Sequence, residues 1–362
     1  MTKDRTLWVK NKKWGIFVHY LEGIQNGEKT PNNPKFTKTS WNECVNDFDA
    51  EHFAKQAHDI GAGYVFFTLC QCSRFLCAPN TTYDEITGYK PGEACSERDL
   101  PMELADALAK YDIPLMLYFT GDGPQFDERA GAAFNTISKT KLDVDYDFVS
   151  KWTQVMQEYS IRYGKKVKGW WIDGSFDYIG YNDELMKLYR DAALAGNDEA
   201  IISFNNGVVR MDFSQPELAQ LTSGADRYLD KLNLADQAAR QGNAAAQNAF
   251  KISDTPRKYR YSEHEDYTAG EASFFGEIPE SRFVHGSQWH ALSFLGISTN
   301  MPLWSIECGW GAPGSRYSGD YMRDYISKVS SNGGVVSVDV FTDRFGNIDK
   351  AQLEVLKQVN RI

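Results

Sequence analysis

One aspartate stands out by its position. Asp173 closes the run Gly169-Trp170-Trp171-Ile172-Asp173-Gly174, an apolar strand pattern that ends in a carboxylate and a glycine turn. In a barrel enzyme, a carboxylate at the carboxyl end of a buried strand lies where the chemistry is kept. The tryptophans beside it can exclude water and offer flat faces to a sugar ring, so the segment suggests glycosidic-bond chemistry centred on Asp173. The plainer alternative is that Asp173 only caps the turn behind it, as aspartates after strands often do.

The elements that must position such a residue show as alternation. Gly15 to His19 and Tyr64 to Leu69 read as buried parallel strands. Between them Asp49 caps a helix that stops at Gly61, with Phe53, Ala57 and Ile60 on one face. A helix over Met102 to Tyr111 precedes a strand at Leu115 to Phe119, and a helix over Tyr146 to Tyr163 precedes the strand at Gly169 to Ile172. The pattern predicts further helices at Glu184 to Ala195, Ser281 to Phe294, Tyr317 to Ser330 and Lys350 to Asn360. It predicts further strands at Ala200 to Phe204, near Tyr259 to Glu263, near Pro302 to Ile306, and at Val335 to Val338. Such alternation implies a parallel sheet. A single-domain α/β fold, a (β/α)8 TIM-like barrel over residues 1–362, is the economical answer, ahead of a doubly wound open sheet. Leu218 to Lys251, rich in Ala, Gln and Asn, reads as a helical insertion near 218–251 with a break near Gly242.

Bulk properties narrow the classes. The 362 residues are 42% hydrophobic, enough for one large core. A net charge of −10 argues against nucleic acid as a partner. Aromatic content of 14% suits carbohydrate recognition and equally suits a well-packed core. No apolar run is long enough to span a membrane, and Met1 to Lys10 lacks the apolar stretch of a signal peptide. A soluble chain is expected, cytoplasmic or exported after loss of a leader. Asn80-Thr81-Thr82 is a glycosylation triplet of a kind that arises often by chance. Cys44, Cys70, Cys72, Cys77, Cys95 and Cys308 form no disulfide framework, and the trio Cys70, Cys72 and Cys77 lacks zinc-ligand partners at the usual spacing. Neither a metal nor a cofactor is expected.

Taken in order, several fragments resemble one family. They are Lys13-Trp14-Gly15-Ile16-Phe17-Val18-His19, Phe48-Asp49-Ala50 leading to Gly61-Ala62-Gly63-Tyr64, Arg98-Asp99-Leu100, and Trp171-Ile172-Asp173-Gly174. Val329-Ser330-Ser331-Asn332-Gly333-Gly334 with Gly346-Asn347-Ile348 completes the set. Together they look like the catalytic barrel of the alpha-L-fucosidases, glycoside hydrolase family 29. The family's carboxy-terminal β-sandwich domain is not expected, since the sequence ends just after the eighth helix.

The resemblance implies a retaining mechanism with two carboxyl groups about 5 to 5.5 Å apart. Asp173 aligns with the family's nucleophile. Its acid/base motif, Asp-Phe or Asp-Tyr with Glu a few residues on, matches Asp266-Tyr267-Thr268-Ala269-Gly270-Glu271 and Asp212-Phe213-Ser214-Gln215-Pro216-Glu217. Glu271 is preferred, because Glu217 follows a proline where it suits a helix's first turn. Glu263 is a further alternative, although the run Glu263 to Asp266 is the kind of charge cluster that usually belongs to a solvated loop. His19 matches the family's sugar-contacting histidine. His52, His58, His285 and His290 fall on predicted helices and read as structural. Trp41, Trp171, Trp304 and Trp310 lie near predicted strand ends or loops, and Trp171 and then Trp304 are the candidates for stacking on a sugar.

Departures from the family pattern concern the sugar's grip. Thr68-Leu69-Cys70-Gln71-Cys72-Ser73 stands where the family carries His-His-Asp-Gly, so Cys70 and Gln71 take the place of two imidazoles. The family's tyrosine after the third strand is expected at Phe119, and Phe204-Asn205-Asn206-Gly207 lacks its arginine. Replacing hydrogen-bonding groups changes which sugar is accepted. Two functions follow: an active retaining exo-glycosidase for a terminal alpha-L-fucosyl or related sugar, or a barrel that binds carbohydrate and has lost turnover.

Overall fold

A computed structural model describes residues 4–26, 38–207, 213–226, 228–253, 261–297, 299–300 and 307–359. Its central sheet has seven parallel strands: β1 (Trp14–Val18), β2 (Val65–Thr68), β3 (Leu115–Thr120), β4 (Val167–Asp173), β5 (Ile201–Phe204), β6 (His290–Phe294) and β7 (Val335–Val340). Their spatial order is β5-β4-β3-β2-β1-β7-β6. Residues 266–272 run between the two edges of this sheet. On one side Thr268 and Ala272 donate to the carbonyls of Gln288 and Leu292, and Leu292 donates to Gly270; on the other, Asp266 donates to Ile202 of β5. The chain is an α/β TIM-like barrel.

Strand alternation sets up two cores. Ile16, Val18, Phe67, Leu117, Phe119, Trp170 and Ile172 point outward and pack with helical residues such as Phe53, Leu104, Trp152 and Tyr189. Phe17, Phe66, Tyr118, Trp171 and Leu292 belong to the inner core. The helices are anchored at their starts by carboxylate or amide side chains that accept a backbone N–H: Asp49 for Ala50–Asp59, Asp99 for Leu100–Ala109, Asp145 for Tyr146–Tyr163 and Asn182 for Asp183–Leu194. Each such cap stabilises its helix by about 1 kcal/mol. Helices at Pro216–Leu221, Tyr228–Arg240 and Ala244–Ser253 follow β5, the last two separated around Gly242.

Two expectations change in the second half, and a third falls outside the described residues. Of the strand expected near Tyr259 to Glu263, residues 261–263 are described and are not strand; the sixth position of the barrel is filled by 266–272. The helix expected over Ser281 to Phe294 is a short hairpin, Phe283–Val284 with Ser287–Gln288, followed by β6. Residues 290–294 are buried throughout, and a short apolar run of that kind cannot be told from a buried helix by its period. Pro302 to Ile306 lies outside the described residues. Consequently His285 stands in a turn and His290 in a strand, where its Nε2 meets the Ser337 hydroxyl at 2.8 Å. Among the described residues no helix is long and apolar enough to cross a membrane.

Candidate active site

The carboxyl ends of the strands open on a cleft of about 520 Å³. Its floor is made of buried rings: Trp171 stacks on Tyr118 with centroids 5.4 Å apart and meets Phe17 edge-on at 5.5 Å. Asp173, at the end of β4, is half-buried above them. Its Oδ2 accepts from the Tyr118 hydroxyl at 2.6 Å and from Gln71 Nε2 at 3.4 Å, and its Oδ1 accepts from Asn205 Nδ2 at 2.8 Å. Burial and the adjacent carboxylate push the Tyr118 phenol well above its ordinary range, so it stays a donor.

Asn205 links the two sides of the cleft. Its backbone N–H donates to Ile172 at 2.8 Å and its carbonyl accepts from Ser175 at 3.1 Å, which extends the β4–β5 ladder past the strand ends. Held this way, Nδ2 donates to Glu271 Oε2 as well as to Asp173. One nitrogen bonded to both carboxylates keeps the bonded oxygens within two hydrogen-bond lengths of each other. Glu271 reaches this place because Gly270 precedes it. Gly270 has a φ of +61°, and a Cβ there would lie 1.9 Å from the His290 carbonyl oxygen.

A third carboxyl group lies on the Asp173 side of the cleft. Asp122, 7% exposed, accepts from Thr120 Oγ1 and Gln125 Nε2, with the Cys72 thiol at 3.5 Å. Burial, with the neighbouring Asp173 charge, pushes its carboxyl up to about 7. Gly174, at φ +70°, makes the approach possible: a Cβ there would stand 3.1 Å from the Asp122 carboxyl carbon. Cys72 is itself a non-glycine residue in the left-handed region, at φ +54°, an uncommon conformation that clusters at functional sites.

His19, just past β1, is oriented by Asp339 on β7. Its Nδ1 lies 2.6 Å from Asp339 Oδ2, while the Gly311 N–H donates to Asp339 Oδ1 at 2.7 Å. A neutral imidazole donating through Nδ1 has Nε2 as an acceptor. Two groups of the cleft are buried without a hydrogen-bond partner among the described residues, the Trp171 indole N–H and Gln71 Oε1. An unmatched donor and acceptor in one cleft suit hydroxyls, which can satisfy both.

Of the residues singled out in the sequence, Asp173, Glu271, His19, Gln71 and Trp171 meet in this cleft. Cys70 does not: past the end of β2, it is buried in the outer core beside Leu69. Strand alternation turns Phe119 outward, where it stacks on Trp152 at 4.7 Å, and puts its neighbour Tyr118 on the inner face. Glu263, with 71% of its side chain exposed, faces His264, and Glu217 sits exposed in the first turn of its helix; neither lines the cleft. Trp41 is spent on packing, its indole N–H donating to the Leu76 carbonyl at 2.8 Å. Trp304 lies outside the described residues. Sequence reasoning missed Tyr118, Asp122, Asn205 and Asp339 and passed over Trp310, which lines the cleft against Phe294 at 4.8 Å. A lone carboxylate inside the apolar run Val335 to Val340 was the available clue to Asp339. Among the described residues no group of three or more His, Cys, Asp or Glu could hold a metal ion.

No family model matches the sequence, and no curated protein is significantly similar to it. Solved structures do match. An endo-fucoidan hydrolase of glycoside hydrolase family 107 superposes with a TM-score of 0.59 at 12% identity, over 98% of this chain and 53% of that one, so this chain spans about half its length. A trapped covalent intermediate of an alpha-L-fucosidase of glycoside hydrolase family 29 from Bacteroides thetaiotaomicron gives 0.58 at 16% identity, over 100% and 74% of the two chains. The alpha-L-fucosidase of Lactobacillus casei with its alpha-L-fucose product gives 0.55 at 14%, over 99% and 100%. The barrel is shared with these hydrolases. At such identities the likeness concerns the fold.

Proposed function

We propose that the chain is a retaining exo-glycosidase of the alpha-L-fucosidase type, hydrolysing a terminal alpha-L-fucosyl or related sugar. The observation that carries this reading is the Asn205 amide donating to Asp173 and Glu271 together, which supports a separation in the short range, about 5 to 5.5 Å, that double displacement needs. In the first step an Asp173 oxygen attacks the anomeric carbon while Glu271, protonated, gives its proton to the departing oxygen. In the second, Glu271 takes a proton from water, whose oxygen displaces Asp173. Asn205 positions both groups, and the Tyr118 phenol holds the Asp173 oxygen that it bonds. His19, Gln71 and Trp171 would bind the sugar's hydroxyls and ring. No cofactor or metal enters this scheme.

A panel of aryl alpha- and beta-glycosides, alpha-L-fucoside included, tests the reading with the native chain and two variants. Turnover of one glycoside by the native chain is expected, lost in Asp173→Gly and Glu271→Ala. Azide should restore both, giving an inverted glycosyl azide from the first variant and a retained one from the second. The runner-up, a carbohydrate-binding barrel without turnover, draws support from Thr68-Leu69-Cys70-Gln71-Cys72-Ser73, where no imidazole is present. Binding of a free sugar with no hydrolysis of any activated glycoside would favour it.

A further inference from the structure

The lining of the cleft changes character from floor to mouth. Phe17, Tyr118 and Trp171 are buried at the floor, whereas Phe126 is 63% and Tyr178 is 73% exposed. Among the described residues, these are the two exposed large apolar side chains that line the cleft. Resting on the glycosidase reading, we propose that Tyr178 and Phe126 form the seat of the leaving group, a neutral sugar unit whose C–H face packs on their rings. A terminal sugar held on the floor presents its glycosidic oxygen to Asp173 and Glu271, and the rest of the substrate leaves past the mouth.

The Tyr178 ring and the Phe126 backbone are each held by the site itself. Tyr178 stacks on Phe176 at 5.0 Å and 11°, and Phe176 packs against the outer core. The short 3-10 turn Asp177–Ile179 that carries Tyr178 is fixed from two sides. Asp177 N–H donates to the Asn206 side chain at 3.1 Å, and the Ile179 carbonyl accepts from Val144 at 2.7 Å. Phe126 donates its backbone N–H to the Cys72 carbonyl at 2.8 Å, and the adjacent Gln125 side chain bonds Asp122. Aromatic faces fixed beforehand bind a flat apolar face without the cost of ordering loops. Charge selects among such faces. The described lining residues include Asp122, Asp173 and Glu271 and no Lys or Arg, which favours an uncharged unit over an anionic one.

The test compares two substrates with one glycone, alpha-L-fucosyl fluoride and a neutral alpha-L-fucosyl disaccharide. Fluoride has no face to stack. For Tyr178→Ala and Phe126→Ala, kcat/KM on the disaccharide should fall about three- to tenfold each, through KM, and on the fluoride stay within about twofold. The unchanged fluoride rate also shows that the variants fold. Equal losses on both substrates, or no loss on the disaccharide, would overturn the proposal. If the native chain turns over neither, the glycosidase reading fails on its own, and the platform is judged from calorimetry. A preference for the disaccharide over free L-fucose that both variants reduce supports it; an unchanged preference, or no disaccharide binding, overturns it.

Discussion

The hydroxyl of Tyr118 and the carboxylate of Asp173 meet at 2.6 Å across β3 and β4, two residues beyond the pairing of Tyr118 with Trp171. The phenol fixes one oxygen of the proposed nucleophile, and its ring is fixed by the stack on Trp171. Tyr118→Phe keeps the ring and removes the donor. A hydrogen bond to a charged group contributes about 1.5–3 kcal/mol, so kcat should drop about 10- to 100-fold and the melting temperature by a few degrees. Steady-state kinetics beside a thermal melt would check this, and an unaltered kcat would remove the phenol from the mechanism.

Asp122 makes stability depend on pH. Its carboxyl, raised to about 7 by burial and the nearby Asp173 charge, keeps a proton that the unfolded chain releases near pH 4. The folded chain thus binds more protons between about pH 4 and pH 7. Stability from this group is fully present below pH 4, declines as pH rises through the window and is lost above about 7, by on the order of 4 kcal/mol. Asp122→Asn lacks that slope. Denaturant titrations at pH 4 and pH 8 should show the variant gaining on the native chain by several kcal/mol, and a constant difference would contradict the assignment.

Asp339 acts on sugar binding through His19. Asp339→Ala frees the imidazole to turn and to change tautomer, while the Gly311 N–H loses its acceptor. We expect KM for the accepted glycoside to rise about tenfold or more, with kcat affected less, the pattern of lost binding. Asp339→Asn, which keeps an acceptor, should recover part of it. If His19 were packed for structure alone, both variants would lose stability and leave KM where it was.

Phe119 gives the opposite kind of result. Its ring lies in the outer core on Trp152, so Phe119→Ala should cost about 3–5 kcal/mol of stability and leave KM within about twofold. A changed KM with stability intact would return Phe119 to the sugar site.

The contrast between Tyr118 and Phe119 shows where the sequence is legible and where it is not. Asp173, His19 and Gln71 each stand at or just past a strand end, so the barrel hypothesis alone directs attention to them. Leu115 to Thr120, however, is buried on both faces, and a run without polar alternation carries no phase. A shift of one residue exchanges the site for the helix layer, and that is what separates Tyr118 from Phe119. Asn205 belongs to a turn whose side chain is directed by bonds to Asp173 and Glu271 across the cleft, and Asp122 to a turn braced by Thr120, Gln125 and the distant Cys72 thiol, which no apolar pattern records. In the second half of the barrel, the sixth strand position is an irregular stretch rather than an apolar run. The strand His290–Phe294 beside it therefore reads as the continuation of a helix.

The stretch 266–272 that closes the barrel is also the piece that carries Glu271. Asp173 rides on β4, laddered on both flanks, whereas the closing stretch meets β5 through one backbone bond, from Asp266, and through the side chain of Asn205 to Glu271. The two carboxyl groups thus belong to parts of the wall with unequal resistance to local opening. When that seam parts, Glu271 moves off while Asp173, Tyr118 and the aromatic floor stay where they are.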